Sequence, residues 1–270
     1  MDRTYVVTGA ASGIGAATAH LLREAGARVI TSDLHDADVI ADLATAGGRK
    51  ALADGVARLS GGRIDAIVAN AGGGPAETSI SLNFFGAVAT LEGLRPLLAK
   101  SRAPRAVAVS SVASLRGELP GVVEACLRGD EAGANAGARK AAGAGSQTKG
   151  NPLPADYQIG LDLYGTAKLA LQQWCRRAAP TPAWAGAGIA LNVVAFGFID
   201  TPAAAYVLND AASRAAVGAM IPLRGAFPGK ASEAAALLAW CTSAENTQMT
   251  GQIIFADAGI ECLARNPVAA

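Results

Sequence analysis

The chain has 270 residues, of which 51% are hydrophobic and 17% charged, with 23 basic against 22 acidic side chains for a net charge of +1. A length of this order suits one domain, because α/β folds commonly run to about 250 residues as a unit. The near-zero charge excludes a general nucleic-acid binder, which needs clustered Lys and Arg, and the high hydrophobicity excludes a disordered chain.

Ala (63 residues) and Gly (32) dominate, and aromatics make up only 5%, so the core must be aliphatic. The four cysteines, Cys126, Cys175, Cys241 and Cys262, are far apart and there are two histidines, so no zinc-ligand spacing exists and no metal is expected. Free thiols suit a reducing compartment, and a cytoplasmic protein is the expectation. The longest uncharged run, 178–199, is broken by Pro180, Pro182, Gly186, Gly188 and Gly197. It reads as a helix end, a turn and a buried strand rather than a membrane span, and the N-terminus carries no signal-peptide pattern.

In chain order, strand-like apolar runs fall at 5–8, 28–32, 64–70, 106–111, 190–195 and 252–255. Helix-like stretches lie between them, at 13–26, 48–60, 78–100, 160–179 and 232–241. Short apolar runs alternating with helices predict βαβ units: one doubly wound parallel sheet, buried on both faces. A Gly/Ala-rich segment at about 116–156 breaks this rhythm, with no clear strand and at most one or two short helices. Such a length suits a lid, a binding loop or an interface segment. The tail beyond Gly259 reads as loosely held.

The first strand runs into Thr8-Gly9-Ala10-Ala11-Ser12-Gly13-Ile14-Gly15 and then a helix. Glycines here permit a tight turn and close backbone approach to a pyrophosphate, and the helix N-terminus adds N–H donors and a positive dipole end. The alternative is a tight β–α turn without a ligand. Asp33, 18 residues after Gly15 at the end of the second strand, has the spacing of a carboxylate on an adenosine ribose. It would repel a 2′-phosphate and favour NAD over NADP; the alternative is a helix N-cap. Further on, Tyr164 and Lys168 stand at i and i+4 in a helical stretch, so both face the same space. A neighbouring ammonium is expected to lower the phenol pKa towards the working range; the alternative is a surface pair. Asp162 reads as a helix-start carboxylate, and His20 and His35 as surface residues.

Together these residues resemble the short-chain dehydrogenase/reductase family over nearly the whole chain. The glycine loop is Thr8 to Gly15, an N-A-G follows as Asn70-Ala71-Gly72, and a helical asparagine as Asn83. The catalytic serine looks like Ser111, ahead of its neighbour Ser110, and Tyr164 and Lys168 complete the tetrad. Within the family the chain is most similar to the bacterial 3α-hydroxysteroid dehydrogenase/carbonyl reductase group. It shares that group's run from Ser32 to Leu43 and the long insertion before the catalytic Tyr. Phe196-Gly197 replaces the family's P-G, and Asp257-Ala258-Gly259 its D-G-G.

The resemblance implies a Rossmann-type fold over 1–270 and NAD-dependent interconversion of a secondary alcohol and a ketone. Catalysis would fall to Asn83, Ser111, Tyr164 and Lys168. The cofactor would be held by Gly9, Ser12, Gly13, Ile14, Gly15, Asp33, Asp42, Leu43, Asn70, Ala71, Gly72, Tyr164, Lys168, Ile199 and Thr201, with Asp42 and Leu43 against the adenine. The substrate, a steroid, terpenoid, cyclic or aryl ketone, would meet Ala113, Leu153, Phe196, Phe198 and Tyr206. Leu153 and the 202–220 stretch are expected to form a mobile cover while the Gly/Ala middle of the insertion, 129–150, stays outside. A homo-oligomer is implied, a dimer first and a tetramer second. The alternative of another class is a non-catalytic dinucleotide-sensing protein on the same fold, against which an intact tetrad argues.

Overall fold

The computed structural model describes residues 3–74, 76–145 and 155–265. Seven strands form one parallel sheet: β1 (Thr4–Thr8), β2 (Arg28–Asp33), β3 (Val39–Ile40), β4 (Ala66–Ala69), β5 (Arg105–Ser111), β6 (Ala190–Phe196) and β7 (Ile253–Ala256). Their order is β3-β2-β1-β4-β5-β6-β7. The winding direction reverses between β1 and β4, and in sheets of this kind ligands bind at the carboxyl ends of the strands beside that reversal. The inner strands are Val- and Ala-rich because both faces are covered: Val6, Val7, Ile67, Val68, Val107 and Val193 are all fully buried.

Two aliphatic cores result. On one face α1 (Gly13–Glu24) and α9 (Ala231–Cys241) pack together over Val7, Val68, Val107 and Val194. On the other, α2 (Ala46–Ser60), α3 (Ala87–Leu98) and α6 (Ala155–Ala178) cover Val6, Ile67, Ala106 and Val193. The start of α2 is set locally by the Thr45 side chain, which accepts from the Gly48 N–H, and its end by Gly61 at φ +67°.

The structure departs from the sequence reading in two places. Val39–Ile40 adds a seventh strand, too short to show any alternation. The helical stretch at 78–100 is not one helix: a 3₁₀ turn at Ala76–Thr78 and a π-helical turn at Ser81–Gly86 precede α3. The insertion is described through residue 145. It forms α4 (Val122–Leu127) and α5 (Glu131–Ala144), with Ala134 and Ala138 buried.

Within its Gly/Ala middle, 131–144 is thus a packed helix. Small side chains let α5 lie close to α4; a Cβ on Gly137 would come within 3.0 Å of a Val122 methyl. In turn α4 buries Val122, Val123 and Cys126 in the core beneath α6. Leu153 and the rest of 146–154 lie outside the described residues. Three short helices complete the chain: α7 (Ala205–Leu208), α8 (Ala211–Ala219) and α10 (Ile260–Arg265). Thus 202–219 is folded as short helices, and the tail is helical as far as Arg265.

Candidate active site

The glycine loop joins β1 to α1 at the reversal point. Gly9 and Gly13 adopt φ of +67° and +52°, and a Cβ on Gly15 would lie 1.9 Å from the Gly9 carbonyl oxygen, so the tightest turn admits no side chain. Ser12, exposed, precedes α1 without capping it through its side chain, and no acidic residue stands in the first turn. The first-turn amides of α1 are therefore not capped by the Ser12 side chain, as an anion site requires. Ile14 packs inward against the core. Asp33 closes the loop from β2: its carboxylate accepts from the Ala11 N–H at 2.8 Å and the Leu34 N–H at 2.7 Å. Each oxygen keeps a second lone pair for a ribose hydroxyl. These features fit a dinucleotide.

Asn70 ties the β4 end to β1. Its side-chain amide donates to the carbonyls of Thr8 and Gly9, at 3.0 and 3.2 Å, while the Thr8 hydroxyl accepts from the N–H groups of Asn70 and Ala71. Asn70 thus shapes the loop through its side chain. Asp42 accepts from the Ala44 N–H at 2.9 Å. The Leu43 side chain is buried in the core, so a partner at this turn meets mainly its backbone and Asp42. Thr201 lies over the loop from the far side; a Cβ on Gly13 would be 3.1 Å from its methyl. Ile199 is bridged to Gly229 and packs against the α1/α9 core.

The tetrad converges at the carboxyl end of β5. The Ser111 hydroxyl hydrogen-bonds Tyr164, and the Lys168 ammonium sits 5.5 Å from the Tyr164 ring centroid. Ser110 is engaged elsewhere, with the Lys168 carbonyl and Gln172, which leaves Ser111 as the serine at the phenol. The turn after Ser111 runs along α6 so closely that a Cβ on Gly165 would lie 2.4 Å from the Ala113 carbonyl. Asn83 is fully buried in the π-helical turn. It accepts from the Gly73 N–H at 2.9 Å and donates to the carbonyls of Gly73 and Ser79. Gly72 packs between Asn83 and Lys168; a Cβ there would lie 2.8 Å from the Asn83 oxygen and 3.1 Å from the Lys168 nitrogen.

The electrostatics correct one expectation. Burial pushes the Tyr164 phenol up to about 12, against a smaller lowering from its Ser111 hydrogen bond. Burial also brings Lys168 down to about 7, and its ammonium donates to the Val109 carbonyl at 2.8 Å. Lys168 is itself desolvated, and burial outweighs every lowering influence on the phenol.

Phe196 and Asp162 move from their expected places. Side chains alternate along β6, so Phe196 points into the α1/α9 core with Val194 and Leu238, away from α6. With Phe198 it lines a cavity beside α9 that contains none of the tetrad. Asp162 lies within α6 rather than at its start and forms a largely buried ion pair with Arg116 at 2.8 Å. Tyr206, on α7, stacks on Tyr157 of α6 with centroids 4.4 Å apart. Tyr157 precedes Tyr164 by seven residues, two helical turns, and so shares its face. That spacing was legible in the sequence, but its partner was not. His20 and His35 are exposed surface residues beside Glu24 and Asp36. Among the described residues no cluster of metal-ligating side chains occurs, and no helix is long and apolar enough to cross a membrane.

Comparison with known proteins places this arrangement in a family. The profile described as Enoyl-(Acyl carrier protein) reductase matches residues 156–261. The chain is 35% identical over 265 residues to 3-alpha-hydroxysteroid dehydrogenase/carbonyl reductase of Comamonas testosteroni, covering 96% of this chain and 97% of that one. It is 34% identical to cis-4-hydroxycyclohexanecarboxylate dehydrogenase of Sinomonas cyclohexanicum, over 96% of each. The crystal structure of the 3-alpha-hydroxysteroid dehydrogenase from Pseudomonas sp. B-0831 complexed with NADH superposes with a TM-score of 0.83 at 34% identity, covering 98% of this chain and all of that one. The chain belongs to the short-chain dehydrogenase/reductase family, whose members are oxidoreductases that bind a nicotinamide dinucleotide. Within it, the chain is similar to the hydroxysteroid dehydrogenase/carbonyl reductase group.

Proposed function

We propose that the protein is an NAD(H)-dependent alcohol dehydrogenase/ketone reductase, a single catalytic domain over 1–270, acting on ring-bearing secondary alcohols and ketones. The observation that carries it is the convergence of Ser111, Tyr164, Lys168 and Asn83 beside a glycine loop closed by a carboxylate. A dinucleotide sensor has no need of that convergence.

The cofactor residues are the loop Gly9 to Gly15, with Ser12, Gly13 and Ile14 at the α1 N-terminus, Asp33 at the adenosine ribose and Asp42–Leu43 at the adenine. Asn70, Ala71 and Gly72 form the floor, and Ile199 and Thr201 the far side. The nicotinamide, when bound, supplies or accepts the hydride at the carbonyl carbon. Tyr164 donates the proton to the carbonyl oxygen in reduction and takes it back in oxidation, and Ser111 hydrogen-bonds the same oxygen as charge develops. Lys168 turns from the Val109 carbonyl towards the ribose. Asn83 holds the Gly72–Gly73 backbone beside Lys168, leaving the ammonium a route for protons.

Ala113 borders the reacting end of the substrate. Tyr157 and Tyr206 form an aromatic wall about two helical turns, roughly 10 Å, from Tyr164. That separation and the flat stacked rings favour a cyclic or polycyclic molecule. The 202–219 segment is the cover, held down by the Tyr206 stack. A cytoplasmic homodimer is the assembly proposed, with a tetramer as the alternative, because the insertion packs beside α6 through α4 and carries α5 on α4. Light scattering distinguishes a dimer from a tetramer, and a monomer at micromolar concentration overturns both.

The activity is tested by NADH and NADPH oxidation with a panel of steroid, terpenoid, cyclic and aryl ketones. Turnover with NADH preferred is the expected result, and Asp33→Ala should narrow the preference. A preference for NADPH would overturn the ribose role of Asp33, and NADH binding without turnover of any ketone or alcohol would support the sensor.

A further inference from the structure

Helix α5 meets the rest of the molecule at Arg49, an α2 residue whose side chain is only 13% exposed. The guanidinium reaches in three directions. Its Nε donates to the Leu43 carbonyl at 2.8 Å, and Nη2 donates to the Ser81 carbonyl at 2.9 Å, with the Ala44 carbonyl at 3.2 Å. Nη1 and Nη2 together clasp the Glu131 carboxylate, each at 2.7 Å. Glu131 is the first residue of α5 and also hydrogen-bonds the Ser81 side chain; Asn135, one turn on, donates to the Ser81 hydroxyl at 2.9 Å.

Three segments remote in sequence therefore share one planar cation: the turn at 42–44, the π-helical turn that carries Asn83, and the insertion. The first two also touch directly, since a Cβ on Gly86 would lie 2.8 Å from the Leu43 carbonyl oxygen. A π-helical turn is rare and commonly marks a functional site; here its first carbonyl takes an outside donor.

We propose that Arg49 is a positioning residue, held by Glu131 and Asn135 of the insertion, that sets the spacing between the adenine-side turn and the Asn83 turn. This rests on the dinucleotide site assigned above. An Arg is needed because only a fork of five N–H donors engages two carbonyl clusters and a carboxylate together. Glu131 is needed because a nearly buried guanidinium among carbonyls requires a counter-charge. Helix α5 is then neither a lid nor a mere spacer. It is a clamp on the back of the cofactor cleft.

The test compares wild type with Arg49→Lys, Glu131→Ala and the charge swap Arg49→Glu/Glu131→Arg. NADH affinity is read by fluorescence titration without substrate, together with kcat, KM and Tm. Arg49→Lys and Glu131→Ala should raise the NADH Kd about three- to tenfold, with a smaller change in kcat. The swap should recover Tm but not NADH affinity, because a Glu at 49 cannot donate to the Leu43 and Ser81 carbonyls. If the swap does not fold, Glu131→Ala decides alone. NADH affinity at the wild-type level in Glu131→Ala, with only Tm lowered, would make α5 a structural strut and overturn the inference. Wild-type protein that binds neither NADH nor NADPH would overturn the proposed function, and this inference with it.

Discussion

At the β1–α1 corner the site is made of backbone: a loop with Gly9 and Gly13 at positive φ, a Gly15 that admits no Cβ, and a helix start without a side-chain cap from Ser12. Around Tyr164 it is made of side chains that reach across from separate elements. Ser111 ends β5, Lys168 lies one turn along α6, Asn83 sits in a π-helical turn, and Tyr206 arrives from α7 to stack on Tyr157. The first end is specified by local conformation and tolerates almost no change of residue. The second depends on packing between distant segments, and its chemistry is set by burial. Binding and turnover should therefore fail separately when each end is damaged.

Tyr164→Phe should break the second end most. It removes the proton donor and should lower kcat about 10²–10⁴-fold while NADH titration stays close to wild type. Activity within a few-fold of wild type would refute the role of Tyr164. Gly15→Ala should break the first end. With a methyl 1.9 Å from the Gly9 carbonyl, the loop must shift, and overpacking of this kind costs about 1–3 kcal/mol or more. NADH binding should be lost even where circular dichroism shows a folded protein; unchanged affinity would mean the loop does not hold the cofactor.

Tyr206→Ala should sharpen the contrast. It removes one face of the aromatic wall, so KM for bulky ring ketones should rise several-fold, about 1 kcal/mol, with NADH affinity untouched. Equal KM values for ring and open-chain ketones in both proteins would remove the wall from the substrate site.

The smallest effect expected is on stability. Lys168 has its folded-state pKa lowered from 10.5 to about 7. Between these values the unfolded chain binds a proton that the folded one does not, so stability attributable to this group rises with pH across that window. Below about 7 the burial cost is complete. Lys168→Met should therefore raise Tm most at pH 6 and progressively less towards pH 10, measured by thermal melts. A gain independent of pH would mean that Lys168 is not desolvated as its surroundings require.

The glycine loop, Asp33, the Ser111/Tyr164/Lys168 set and the parallel sheet were all legible in the linear chain. All but Ser111, which came from the family resemblance, depend on short-range rules: turns that only glycine makes, i and i+4 on one helix face, and apolar runs bounded by Gly and charge. The two-residue β3 carried too little pattern to be seen. The π-helical break before α3 also escaped, because its residues have ordinary helical periodicity and only the contacts of Ser81 and Asn83 distinguish it. Helix α5 was not placed in the sequence because its composition offers little apolar surface. Its order comes from small side chains against α4 and from Arg49, 82 positions earlier. The direction of Phe196, the Arg116–Asp162 pair and the Tyr157–Tyr206 stack were likewise decided only by which elements meet. So were the pKa values of Tyr164 and Lys168, because desolvation depends on everything packed around a group and not on its neighbours in the chain.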